Sequence, residues 1–346
     1  MSGRGIPFVP AGAVTGIGSL PFTDPDGAVA FVAEHAPRMP FWPQLPNRDV
    51  AEGMLSQALA LPTALLRRRE GTCFEVDVND LAELKKVLLE APAGLTEDQA
   101  PGFFAFERAA RAGAFPVAQV VKGQLTGPAT LAWFVAAAGR PVITRPGVVD
   151  ALTRWVGRRA TWQVQRLRAL GLPVLVFVDE PALGLIGPLG GAWVAAVLGQ
   201  VCDAIRLAGG LAGVHCCATP VDFGVLRAAR PDVISFDASE PTFAGDEAAV
   251  RWWTSSGGMT AFGLVATGPT DSDPGDLFVR WLDAGLRLDD PQGLARRTIV
   301  TATCGLGLVD PPAALQSFRR SAQVGTLVRE VALSGAAPGP APRVRR

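Results

Sequence analysis

Residues 174–217 read VLVFVDEPALGLIGPLGGAWVAAVLGQVCDAIRLAGGLAGVHCC. The stretch opens on an unbroken β-branched and aromatic run, crosses an Ala-, Leu- and Val-rich segment, and closes on a second strand-like run. Strand, helix, strand is the unit of a parallel sheet, because parallel neighbours need a crossover between them. Working outward, the same alternation recurs along the chain. Strands are expected at 14–20, 41–45, 117–123, 174–180, 211–217, 233–237, 260–267 and 298–304. Helical patterns cover 148–170, 191–208, 244–254, 274–286 and 311–332, and Asp24-Pro25, Asp273-Pro274 and Asp310-Pro311 carry the chemistry of helix starts. Eight strands over this length predict an α/β fold closed as a (β/α)₈ TIM barrel, with a doubly wound open sheet as the alternative. The barrel is expected over residues 11–333, with a flexible stretch at 1–10 and a disordered, Pro- and Gly-rich tail at 334–346.

Composition narrows the function. Hydrophobic residues make up 49% of 346 and charged residues 18%, enough for a large core. Basic and acidic residues number 32 each, so no electrostatic footprint for nucleic acid or an anionic membrane exists. Five unevenly placed cysteines do not form a disulfide framework, and no apolar run is long enough for a membrane span. The opening residues lack the continuous apolar core of a secretory leader, so a cytoplasmic, thiol-reducing setting is expected.

In a barrel of this kind the chemistry gathers at the C-terminal ends of the strands. Ser19, Asp179, Glu180, His215, Cys217, Asp237, Thr267 and Cys304 all fall there. The chain has only two histidines, and one of them sits in the run His215-Cys216-Cys217. Side chains alternate along a strand, so Gly213, His215 and Cys217 share the inward face, and Ala212, Val214 and Cys216 pack outward. Imidazole nitrogen and thiolate sulfur are ligands that zinc prefers. Taken alone, His-x-Cys is more often a satisfied core histidine beside inert cysteines. Cys304, ahead of Gly305-Leu306-Gly307, strengthens the metal reading, because glycines admit close neighbours. Asp237 adds a carboxylate, with Glu240 competing for the role. Asp179-Glu180 reads equally as a strand-end salt bridge or a helix N-cap. Gly305-x-Gly307 lacks the third glycine of a dinucleotide fingerprint. Cys202 reads as core and Arg67-Arg68-Arg69 as a solvated helix face. Trp252-Trp253 is expected to pack under the barrel, and His35 to end a helix.

Ile17-Gly18-Ser19, Asp179-Glu180-Pro181-Ala182-Leu183, His215-x-Cys217, residues 234–239 (ISFDAS) and Cys304-Gly305-Leu306 together resemble the catalytic C-terminal barrel of cobalamin-independent methionine synthase. The wider superfamily includes uroporphyrinogen decarboxylase and corrinoid-dependent thiol methyltransferases. The resemblance spans roughly residues 13–320. It implies zinc held by His215, Cys217, Asp237 and Cys304, activating the thiol of homocysteine. It further implies that Ile17, Gly18 and Ser19 hold the amino acid's carboxylate, while Asp179 and Glu52 hold its ammonium.

Three departures from that pattern bear on the donor. The chain has one barrel where the synthase has two. Asp237 stands where the synthase has Glu. Thr267 lies at or near the position of a synthase histidine thought to protonate the folate leaving group. A nitrogen leaving group needs such an acid, whereas low-valent cobalt leaves without a proton. The expectation is therefore methionine formation from a methyl-corrinoid, supplied in one version by a corrinoid protein. The alternatives are methylation of another thiol or a uroporphyrinogen decarboxylase-like reaction.

Overall fold

The expected strands assemble into one parallel sheet. In the computed structural model, which describes residues 7–61, 66–68, 74–78, 80–218, 222–239, 253, 256–268, 272–286 and 290–334, seven strands lie side by side. Their order is Ala13–Val14, Thr298–Ala302, Met259–Val265, Val233–Asp237, Leu211–Cys216, Val174–Asp179 and Val121–Thr126. Every pairing is parallel. The gap between the two outer strands is filled by residues 41–44, where Phe41 pairs with Lys122 and Gln44 with Ser19. Gln44 N donates to Gly18 O (3.0 Å), Leu20 N to Gln44 O (2.9 Å) and Trp42 N to Lys122 O (3.3 Å). These bonds close the ring at eight positions. The fold is a (β/α)₈ barrel, and the open-sheet alternative is excluded.

The three helices marked by Asp-Pro pairs begin at Pro25, Pro274 and Pro311, for the expected reason. Asp24 accepts from Gly27 N (2.9 Å), Asp273 from Gly275 N (2.7 Å) and Asp310 from Ala313 N (2.7 Å). Each satisfies an orphan donor ahead of a proline whose fixed φ suits the first helical turn.

Alternation divides the apolar residues into two cores. Ala212, Val214, Cys216, Ile234, Phe236, Phe262 and Val300 point outward into the layer between sheet and helices. Leu175, Phe177, Val233, Met259, Ala261 and Ile299 point inward and, with Phe8, Met39 and Val120, plug the floor of the barrel. Cys202 and Cys216 are both fully buried, as read. Each large apolar side chain buried this way contributes about 1.5–3 kcal/mol.

Several expectations need correcting. The third strand runs Val121–Thr126 rather than 117–123, and Val117 is 56% exposed on the approach to it. The first strand's ladder is confined to Ala13–Val14 before the Gly16 and Gly18 stretch. The helix expected at 191–208 spans Leu183–Leu207 with a non-helical Gly190, so the Gly- and Pro-rich segment bends the helix without delaying its start. Arg67 and Arg68, read with Arg69 as a solvated helix face, lie in the strand Leu66–Arg68 beside Phe74–Val76, and Arg69 lies outside the described residues. With Val135–Ala137 and Arg140–Pro141 the two strands make a small second sheet, a case of tertiary pairing overriding local propensity. Trp253 is buried, its indole donating to Thr260 Oγ1 on the outer face of the barrel. Trp252, Cys73, Glu240, the tail from 335 and nearly all of the helix expected at 244–254 lie outside the described residues. No helix among the described residues is long and apolar enough to cross a membrane.

Candidate metal centre

The strand Leu211–Cys216 carries Leu211, Gly213 and His215 up its inward face, and Cys217 follows at the mouth. His215 is buried, and its Nδ1 lies 2.9 Å from the hydroxyl of Ser235, its register partner on the next strand. That bond fixes the ring and turns Nε2 toward the mouth, where it is buried without a hydrogen-bond partner. Across the barrel, the chain leaves Ala302 and bends so that Cys304 faces Cys217, with the sulfurs 3.3 Å apart. The ligand atoms of His215, Cys217 and Cys304 all lie within 4.8 Å of one another.

The two thiols behave as one acid. The hydrogen bond with Cys217 draws the Cys304 thiol down, against burial, with His215 adding its pull. Cys217 is correspondingly pushed up by the bond to Cys304 and by burial. An orphaned imidazole nitrogen beside a thiol–thiolate pair is a donor set that suits zinc. A buried polar nitrogen otherwise costs about 1–3 kcal/mol unpaired.

Asp237 is not drawn into this cluster. It stands two residues beyond Ser235 on the same face, and its Oδ1 accepts from the backbone N (2.8 Å) and Oγ (2.5 Å) of Ser239.

Ser19 is fastened to the Cys304 loop. Its Oγ accepts from Gly307 N (3.1 Å), and its carbonyl accepts from Leu306 N (3.0 Å). A Cβ on Gly305 would meet Ser19 Oγ at 2.3 Å, so glycine is required there for the approach. Ile17, Ser19 and Cys304 border one narrow cleft of about 10 Å³, closed on its other side by Ser317 and Phe318 of the last helix.

The two residues of the acidic pair part company. Glu180 is fully buried and accepts from Ala129 N (3.0 Å) and Thr130 N (2.6 Å), capping the helix Pro128–Phe134. The helix-cap reading therefore holds for Glu180. Asp179 points into the barrel, with Oδ1 buried and unpartnered. Burial pushes its carboxyl up to about 7, opposed by the charges of His215 and Lys122. Glu52 lies in the short helical turn Val50–Glu52, fully buried, with Oε1 on Arg48 (3.0 Å) and Oε2 unpartnered. Burial raises it, against the pull of Arg48. The next helix is tied to the Asp179 side of the mouth, because Thr126, the register partner of Asp179, donates to Met54 O at 2.8 Å.

Two residues escaped the sequence reading. Ser235 was visible as the inward-facing neighbour of His215 once the strands were registered. Lys122 stood in an apolar run, VVKGQLTG, and is the largest charged side chain in the barrel interior among the described residues.

No family model matches the chain, and no curated protein does. Among solved structures it is similar to a methyltransferase from Methanosarcina mazei, at 12% identity and a TM-score of 0.51 over 95% of each chain. It is also similar to a B12-independent methionine synthase from Shewanella sp. W3-18-1, solved in complex with selenomethionine. That likeness has 16% identity and a TM-score of 0.49, covering 66% of this chain and 68% of that one. At such identities the likeness is one of fold alone.

Proposed function

We propose that the chain is a zinc-dependent methyltransferase that moves a methyl group from a methyl-corrinoid to the thiol of homocysteine. The observation that carries this reading is the convergence of His215, Cys217 and Cys304 at the barrel mouth, with His215 Nε2 buried and unpartnered. These three residues would hold the metal. Asp237 is the fourth ligand in this reading, a role that requires it to exchange its bonds to Ser239. Zinc bound there supplies a Lewis acid that keeps a thiol deprotonated at neutral pH.

The chain's own residues place the acceptor. Ile17, Gly18 and Ser19 receive its carboxylate, and Ser19 is fastened to the Cys304 loop through Gly307 N and Leu306 N. Asp179 and Glu52 receive its ammonium, and each offers a buried oxygen with no partner of its own. Groups held ready in this way reduce the entropy that reaction must overcome. Ser235 holds His215 in one orientation through Nδ1.

The donor assignment rests on the departure at Thr267 from the family pattern that the sequence resembles. Thr267 stands where an acid for a nitrogen leaving group is wanted, and the only histidine besides His215 is His35, packed on Phe31 at 4.5 Å between ring centroids. A leaving group that departs without a proton suits this set.

The test is turnover by zinc-loaded protein given L-homocysteine with either methylcobalamin or methyltetrahydrofolate. Methionine from methylcobalamin alone is the expected result. Methionine from the folate alone overturns the donor assignment, and methionine from neither overturns the acceptor assignment.

A further inference from the structure

Only three of the chain's 32 basic residues are lysines, and Lys85 and Lys86 are exposed on one helix. The third, Lys122, is fully buried inside the barrel. In so arginine-rich a chain, a lysine in that slot marks a need for a compact ammonium. Its Nζ donates to the Ile17 carbonyl at 2.5 Å and to Gln124 Oε1 at 3.1 Å. It also lies 4.5 Å from the centre of the Phe177 ring, a cation–π contact. Gln124 in turn donates to Trp42 O (2.9 Å) and packs so tightly on Gly18 that a Cβ there would lie 2.6 Å from its side chain. Burying an ammonium is costly, and burial draws Lys122 down to about 7, with Asp179 opposing the fall. A residue maintained at that cost calls for a task.

We propose that Lys122 is a positioning residue of the acceptor site, orienting and polarising the Ile17–Gly18 peptide so that its N–H receives the acceptor's carboxylate. This inference rests on the proposed function. The peptide is planar and trans, so the C=O and N–H of one unit point in opposite directions. With the Ile17 carbonyl drawn down onto the buried ammonium, the Gly18 N–H is turned away from the floor. A charge-assisted bond at the carbonyl end strengthens the donor at the other end. Behind a neutral layer of Gly18 and Ser19, Lys122 also supplies positive charge to an anion bound in front of them. Its hydrogen bonds act at the carboxylate end of the acceptor, while its charge also bears on Asp179 at the ammonium end.

The test compares three thiols: L-homocysteine, 4-mercaptobutanoate, which lacks the amino group, and 3-mercaptopropylamine, which lacks the carboxylate. Lys122→Met preserves length and removes the charge and donors. It is expected to raise KM at least tenfold for the two carboxylates and to cause no comparable rise for the amine, which meets Lys122 only through its charge on Asp179. The kcat values and the zinc content should stay within about twofold of wild type. A structural defect would instead lower the active fraction equally for all three. Equal KM changes for the three thiols, or none, overturn the proposal. Lys122→Gln, which keeps an amide donor, serves the same comparison if the methionine variant does not fold. In wild-type protein labelled with ¹⁵N-lysine, the buried ammonium signal should move further on adding 4-mercaptobutanoate than on adding 3-mercaptopropylamine. The reverse pattern, or no movement with either, also overturns it. Wild type that binds none of the thiols brings down the proposed function, and this inference with it. Wild type that binds them while the variants and the label show no carboxylate dependence brings down this inference alone.

Discussion

At the floor of the barrel, Leu175, Val233, Met259 and Ile299 close an apolar plug. At the mouth, two to four residues further along the same strands, Asp179 Oδ1, His215 Nε2 and Thr301 Oγ1 are buried without hydrogen-bond partners. A single face makes the change: Leu211 and Gly213 pack, and His215 and Cys217 present donor atoms. Unpaired buried polar atoms destabilise a fold, and side chains in a dry plug stabilise it. The floor therefore carries the stability that lets the mouth keep its groups unpaired and ready for a ligand. Substitutions at the two ends should accordingly separate, with the floor moving stability and the mouth moving binding.

The largest effect is expected at the mouth. Cys217→Ser should take the zinc content from about one per chain to near zero, as read by metal analysis. Its neighbour Cys216, fully buried in the outer layer, supplies the control. Cys216→Ser should keep the metal and lose about 1–3 kcal/mol of stability, because a polar hydroxyl replaces sulfur in a packed apolar layer where, among the described residues, only Ala218 O, 3.5 Å from the thiol, can accept from it. Metal loss in the Cys216→Ser variant would break the distinction between the two faces of the strand.

Next comes the floor. Met259→Ala leaves a cavity among close-packed neighbours and should cost about 2–5 kcal/mol in denaturant unfolding, with zinc affinity unchanged. A parallel fall in zinc affinity would show that the two ends are not separable.

Ser235→Ala frees His215 to rotate and should weaken zinc binding about 10–100-fold in competition with a chelator, with little change in folding.

The smallest effect is a slope. Burial raises Glu180 to about 7, so folding disfavours its charged form. The unfolded chain releases that proton near its ordinary value, and stability is lost as pH rises from there through about 7. Glu180→Gln should make the fall of thermal stability across that window shallower, leaving the part that Asp179 contributes. An unchanged slope would remove Glu180 as its source.

The sequence made the fold legible because inward and outward residues alternate cleanly in 174–179, 211–216 and 233–237, and because Asp-Pro pairs marked the helix starts. The second barrel position, residues 41–44, was legible in place but not in form. Two isolated bridges hold it, and nothing local distinguishes that from a regular strand. The small second sheet was not legible, since its strands of two or three residues exist only through distant pairing. Of the site, His215, Cys217 and Cys304 could be read from residue type and strand position. The separate fates of Asp179 and Glu180 could not, because adjacent carboxylates differ only in which layer each faces. Lys122 and Ser235 act through three-dimensional neighbours, the Ile17 carbonyl and the His215 ring, that lie 105 and 20 residues away.

The most direct test of the account is X-ray absorption at the zinc edge, with protein purified free of chelators, before and after addition of L-homocysteine. The account predicts about one zinc per chain in a nitrogen- and sulfur-containing shell with two cysteine sulfurs, gaining one sulfur on addition. A metal shell that ignores homocysteine, or protein that binds no zinc, would contradict it.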